Sequence, residues 1–153
     1  MAASVSSRLL TVEEFRRLPE PRGAFQHELH RGELVHVTRP RHKHHEMQRR
    51  LRRLLEARLG ALGVVETEFT FRPLAENDVR AADVAYVPAD RWRAIDPDDN
   101  LHGAPDLVIE VLSPSNSAAE MYDREELCLS NGAREFWTVD LERRLVRVVT
   151  ADR

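Results

Sequence analysis

The chain has 153 residues, 42% of them apolar and 32% charged, which fits one folded domain over residues 1–153 and excludes a disordered chain. It has no apolar run near the roughly 20 residues of a membrane helix and no signal-peptide pattern in Met-Ala-Ala-Ser-Val-Ser-Ser, and its lone Cys128 excludes a disulfide framework or a cysteine-based zinc site; a cytoplasmic protein with no membrane partner is expected. Net charge is −3, yet residues 39–58 hold eight Lys/Arg against two glutamates, a local basic face able to meet phosphate or simply to stay solvated.

Thr11-Val-Glu-Glu14 has capping-box spacing and predicts a short helix from Thr11 to about Leu18, broken by Pro19, Pro21 and Gly23. Residues 25–30 and 33–38, joined at Arg31-Gly32, read as a β-hairpin. A helix is expected from about His44 to Leu59. Its Met47, Leu51, Leu54, Leu55 and Leu59 recur at helical spacing, with Arg49, Arg52, Arg53 and Glu56 opposite. From Val64 to Arg72, Val65, Thr67, Phe69 and Phe71 alternate with Glu66, Glu68 and Thr70, as in a strand with one apolar face. Residues 80–87 and 106–112 are shorter and more apolar, as buried central strands are. The acidic stretch between them reads as a surface loop with a helical turn. Ser117-Ala-Ala-Glu120 is a second capping box, opening a helix to about Ser130 that Asn131-Gly132 stops. Residues 135–140 and 145–150 form a closing hairpin. The elements add up to one mixed α/β unit.

Two acidic residues stand inside apolar strands, where an unpaired carboxylate is costly: Asp83 in Asp-Val-Ala-Tyr-Val and Glu110 in Asp-Leu-Val-Ile-Glu-Val-Leu. The period of 2 puts Asp106, Val108, Glu110 and Leu112 on one face, and Leu107, Ile109 and Val111 on the other. If the strands are neighbours, the two carboxylates converge and, with a backbone carbonyl and waters, suit Mg²⁺. The plainer alternative is a solvated strand-end Asp83 and a Glu110 paired with an arginine.

Pro105-Asp-Leu-Val-Ile-Glu-Val-Leu-Ser-Pro-Ser-Asn116, a helix, then Gly132-Ala-Arg-Glu-Phe-Trp-Thr-Val-Asp140 resembles a bacterial family of "putative restriction endonucleases" in the PD-(D/E)XK nuclease superfamily. Thr11-Val-Glu-Glu-Phe15, Glu28-Leu-His-Arg-Gly-Glu33 and His44 match its N-terminal marks, so the resemblance spans nearly the whole chain. It implies a restriction endonuclease-like mixed central sheet flanked by helices, and a metal-dependent DNA endonuclease. Asp83, Glu110 and the Val111 carbonyl would hold Mg²⁺ or Mn²⁺, with Glu28 and His44 joining the site.

Departures accompany the match. The superfamily lysine two residues after the glutamate is Leu112 here. This family carries its lysine on the following helix, and the corresponding position is Arg124. Arg124 shares a helical arc with Met121, Leu127 and Cys128, which points it inward; the alternative is a surface pair with Glu120. Arginine stays protonated where a buried lysine can lose its proton. The family's tyrosine four residues on is Cys128, and its proline before the aspartate is Ala82. Two further classes therefore stand beside the endonuclease: a weak or inactive nuclease-fold protein binding nucleic acid through Arg49, Arg52 and Arg53, and a protein that only binds a protein partner. A homodimer would suit double-strand cutting.

Overall fold

The computed structural model describes residues 8–23 and 25–152; the N-terminal stretch 1–7, expected to hold no leader, lies outside the described residues. In chain order the elements are α1 (Val12–Arg16), β1 (Phe25–His30), β2 (Glu33–Thr38), α2 (His42–Leu59), β3 (Gly63–Arg72), β4 (Arg80–Pro88), α3 (Ala89–Arg93), β5 (Leu101–His102), β6 (Leu107–Val111), α4 (Ala118–Ser130), β7 (Glu135–Asp140) and β8 (Leu145–Thr150). Both capping boxes form, with Thr11 and Ser117 as N-caps.

A six-stranded mixed sheet runs β5-β3-β4-β6-β7-β8. β6 and β7 are parallel, so the chain must cross over between them, and α4 is that crossover. On one face α2 lays Leu55, with Met47, Leu51 and Leu59, onto Val65, Val84, Leu107, Ile109 and Val111. On the other, Met121, Cys128 and Leu129 of α4 pack with Phe71, Ala82, Ala85, Val108 and Phe136. Trp92 of α3 joins that side against Phe69, a packing role. Among the described residues no helix is long and apolar enough to cross a membrane.

The β1–β2 hairpin forms a separate two-stranded sheet. Arg31 (φ 46°) and Gly32 (φ 89°) both take left-handed backbone, the geometry of a tight two-residue hairpin turn. Leu29 and Val79 exchange backbone hydrogen bonds at 2.9 and 2.8 Å, which docks β1 beside the start of β4. The fully buried Asp78 locks the joint. It accepts from Arg80 Nε at 2.7 Å, Arg80 Nη2 at 3.1 Å and the Arg31 backbone N–H at 3.0 Å.

Three details differ from the sequence expectation. α2 starts at His42, which puts His44 inside its first turn. The acidic loop contains β5, a two-residue strand too short to show any period. Most consequential, β3 does not keep one apolar face: Val65 packs on the α2 side, whereas Phe69 and Phe71 pack on the α4 side. Glu68 lies between them with φ 50°, a left-handed residue inside the strand, and the faces exchange across it. In β6 the expected division holds, with Leu107, Ile109 and Val111 on one side and Val108 on the other.

Candidate active site

β4 and β6 pair antiparallel from Tyr86–Leu107 to Val84–Ile109, and the next position in that register sets Asp83 against Glu110. There the ladder ends. The Val111 backbone N–H donates to Asp83 Oδ2 at 2.7 Å, so a side chain takes the place of a strand carbonyl. The two acidic residues thus face each other where the central strands part.

Arg124 reaches this point from α4. Its side chain is 13% exposed and bonds Glu28 twice, Nη2 to Oε1 at 2.5 Å and Nη1 to Oε2 at 3.2 Å. Nη1 also lies 3.4 Å from Glu110 Oε1 and 3.4 Å from the Ala81 carbonyl. Glu120 instead closes the α4 capping box, so the surface-pair alternative is not what the helix forms. Glu28, 4% exposed, further accepts from the Ala81 N–H at 2.8 Å and lies 2.9 Å from His30 Nε2. The docking of β1 on β4 is what brings it there.

His44 enters from α2, with Nε2 2.9 Å from the Val111 carbonyl and 3.2 Å from Asp83 Oδ2. Both neighbours are acceptors, so Nε2 carries the hydrogen. One turn on, the buried Gln48 donates from Nε2 to Glu68 Oε1 at 2.7 Å and to Asp83 Oδ1 at 3.2 Å. The site therefore gathers Glu28, Asp83, Glu110, Val111, His44 and Arg124, together with Gln48 and Glu68, which sequence reasoning alone does not single out. A glutamine on the apolar arc of α2, one turn after His44, was the available signal for Gln48.

The electrostatics are unbalanced. Burial, and then the Asp83 charge beside it, raise the Glu110 carboxyl well above its ordinary value, an effect Arg124 offsets only in part. Burial alone would raise Glu28 too, but the Arg124 charge and the hydrogen bonds from His30, Arg124 and Ala81 outweigh it and hold that carboxyl well below the usual range. For His44, burial lowers the pKa, and the hydrogen bond and charge of Asp83 more than reverse this. Burial pushes the Cys128 thiol up to about 12, which suits a core residue and not a nucleophile.

The donor set bears on which cation could sit here. Two carboxylates and a backbone carbonyl are an all-oxygen set, the kind Mg²⁺ takes while keeping part of its hydration. The Asp83–Glu110 repulsion is also what a cation between them would relieve. Among the described residues no three His, Cys, Asp or Glu side chains are grouped so as to hold a metal ion by themselves, so a cation here would rest on the two carboxylates, the Val111 carbonyl and its own waters. The donor set fits Mg²⁺ or Mn²⁺.

Arg49, Arg52 and Arg53 lie away from this centre, on the outer face of α2. Arg49 pairs with Glu46, and Arg52 with Glu56 and with Glu66 of β3. Arg53 is exposed and, among the described residues, forms no ion pair with a carboxylate.

A mixed sheet between helical layers, with an acidic pair where its central strands part, defines a restriction endonuclease-like protein. The family described as "putative restriction endonuclease" (Uma2) matches residues 12–153, and the chain belongs to it. A crystal structure of a "putative nuclease belonging to DUF820" from Anabaena variabilis is similar, with a TM-score of 0.79 and 21% identity over 94% of this chain and 81% of that one. At that identity the likeness is one of fold. No curated protein matches the chain.

Proposed function

We propose that the chain is a metal-dependent DNA endonuclease that hydrolyses phosphodiester bonds. The observation that carries this reading is the meeting of Asp83, Glu110 and the Val111 carbonyl where β4 and β6 separate. Those three would hold Mg²⁺ or Mn²⁺, which when bound supplies Lewis acidity and a water of lowered pKa. Arg124 adds a charge that survives any working pH and lies 3.4 Å from Glu110, suited to developing charge on a phosphoryl oxygen. His44 keeps a proton at Nε2 against Asp83 and the Val111 carbonyl, orienting both. Family membership supports a nucleic-acid substrate. Nicking of supercoiled plasmid by pure protein in Mg²⁺, lost in EDTA, is the expected result; no nicking with either Mg²⁺ or Mn²⁺ would remove the reading.

Arg124 also favours a second reading, a weak or inactive nuclease-fold protein that binds nucleic acid or a protein partner. Its guanidinium is already engaged by Glu28 through two bonds. Lysine at this position keeps one mobile charge and can lose its proton when desolvated. On the endonuclease reading Arg124→Lys is expected to raise the Mg²⁺-dependent nicking rate, by up to the ~10²-fold at the low end of general acid–base contributions. A lower rate in Arg124→Lys than in the natural protein would make arginine an adapted charge clamp.

The outer face of α2 is the proposed contact to the phosphate backbone. Changing Arg49, Arg52 and Arg53 together to Ala is expected to weaken DNA binding alike across sequences. It should also flatten the dependence of log K on log salt by roughly 0.9 for each phosphate no longer neutralised. Arg53 should account for most of the loss, because Arg49 and Arg52 already face carboxylates. Affinity titrations at several salt concentrations read both effects, and an unchanged slope leaves these arginines as a solvated face.

A further inference from the structure

The buried side of α2 carries a polar residue that packing does not require. Gln48 is 0% exposed and lies between Met47 and Leu51, both packed against the α2-side core. An amide nitrogen has two hydrogens, and here each has a carboxylate, Glu68 Oε1 at 2.7 Å and Asp83 Oδ1 at 3.2 Å. The amide oxygen is left buried without a partner. That is a cost, and a methionine of similar length would avoid it.

Glu68 is costly as well. It falls opposite Asp83, between the pairs Thr67–Val84 and Phe69–Ala82, and holds a left-handed φ of 50° that a non-glycine residue adopts only at some expense. Gln48 meets Asp83 at Oδ1, and Glu68 holds the same Gln48 amide nitrogen. The other oxygen, Oδ2, is already held by the Val111 N–H and His44. With Gln48 in place, both oxygens of this carboxylate are fixed, one from β6 and His44, the other from Gln48.

We propose that Gln48, held in turn by Glu68, is a positioning residue that fixes the Asp83 carboxylate for cation binding. The inference rests on reading Asp83 and Glu110 as cation ligands. Hydrogen-bonded partners of ligating carboxylates typically matter 10–100-fold for metal affinity. Cation affinity and the melt are therefore read separately, since Gln48 carries both an unpartnered oxygen and two hydrogen bonds to carboxylates.

The test is calorimetric titration of the whole chain with Mn²⁺ alone, alongside thermal melts, for the natural protein, Gln48→Met, Glu68→Gly and Glu110→Gln. Gln48→Met is expected to weaken Mn²⁺ binding by roughly 10–100-fold, whichever way Tm moves as the unpartnered oxygen and the two bonds to carboxylates are lost together. Glu68→Gly should weaken it in the same direction; glycine accepts the left-handed backbone and removes the acceptor that holds the Gln48 amide. If Glu110→Gln loses Mn²⁺ while Gln48→Met and Glu68→Gly bind it as the natural protein does, positioning is overturned and the cation site stands. A fall in Tm for Gln48→Met with unchanged Mn²⁺ affinity also overturns it, as a purely structural residue would behave that way. Should Gln48→Met fail to fold, Glu68→Gly decides, because it leaves the Gln48 packing intact. If the natural protein and Glu110→Gln bind Mn²⁺ equally, or neither binds, the cation reading falls and takes this inference with it.

Discussion

Arg124→Ala is expected to cost about 3–5 kcal/mol of folding stability, the penalty for removing one partner of a buried ion pair. The reason lies in the groups it leaves behind. Glu28 is 4% exposed and Glu110 7% exposed, and Arg124 is the guanidinium that bridges them. Without it, two buried carboxylates are left beside Asp83 with no guanidinium between them, and burial limits how far water can compensate. For a domain of this size each kcal/mol moves Tm by roughly 2–4 °C, so the melt should shift down by roughly 6–20 °C. Arg124→Lys keeps the charge and should recover much of the loss. A melt for Arg124→Ala within a degree of the natural protein would mean that the Glu28–Arg124–Glu110 chain does not hold the fold together.

Glu110→Gln should do the opposite to stability and far more to chemistry. Burial and the Asp83 charge raise this carboxyl in the folded chain above its ordinary value of 4.5. The folded protein then binds the proton more tightly than the unfolded one. Stability from this group is greatest below pH 4.5 and falls as pH rises from there toward the raised folded value. Glutamine removes the titration, so the variant's stability should vary less with pH over that window. At neutral pH it should gain roughly 1 kcal/mol, or roughly 2–4 °C, at the low end of the gains seen when neutral groups replace buried charge. Glu28 works in the other direction. Its lowered carboxyl contributes stability above its unfolded pKa that is lost as pH falls, and Glu110→Gln leaves that acid limb in place. Cleavage by Glu110→Gln should drop on the order of a thousandfold, the several kcal/mol a metal ligand supplies at about 1.36 kcal/mol per tenfold. Melts across pH and plasmid-nicking rates read the two halves separately.

Much of this arrangement was legible in the chain. Both hairpins fall where alternation and turn residues put them, because a period of 2 closed by Arg31-Gly32 has few other solutions. The two capping boxes mark their helices because the reciprocal bonds are local. Arg124 could be aimed inward from its helical arc, and Asp83 and Glu110 stood out as acids in apolar strands. The features that could not be read depend on contacts distant in sequence. The exchange of faces in β3 falls at the left-handed Glu68, and β4 exchanges at the opposite position between Ala82 and Val84, a paired change that one strand's side-chain pattern does not announce. The Gln48–Glu68–Asp83 contacts join three elements, and nothing local in any of them announces the others. Arg52 stood on the basic face of its helix, and its pairing with Glu66 of the neighbouring strand could not be read from that helix.

The most direct test of the central claim compares the natural protein with Asp83→Asn in a time course of supercoiled-plasmid nicking across Mg²⁺ concentrations, with EDTA as the zero point. Asn keeps the shape at the parting of β4 and β6 and removes the charge, its NH₂ replacing one of two oxygens that accept from Val111, His44 and Gln48, so a melt must first show that both proteins are folded. Nicking by the natural protein should rise with Mg²⁺ to saturation, and Asp83→Asn should show none at any concentration. Equal nicking by the two, or nicking by the natural protein that persists undiminished in EDTA, would contradict the central claim.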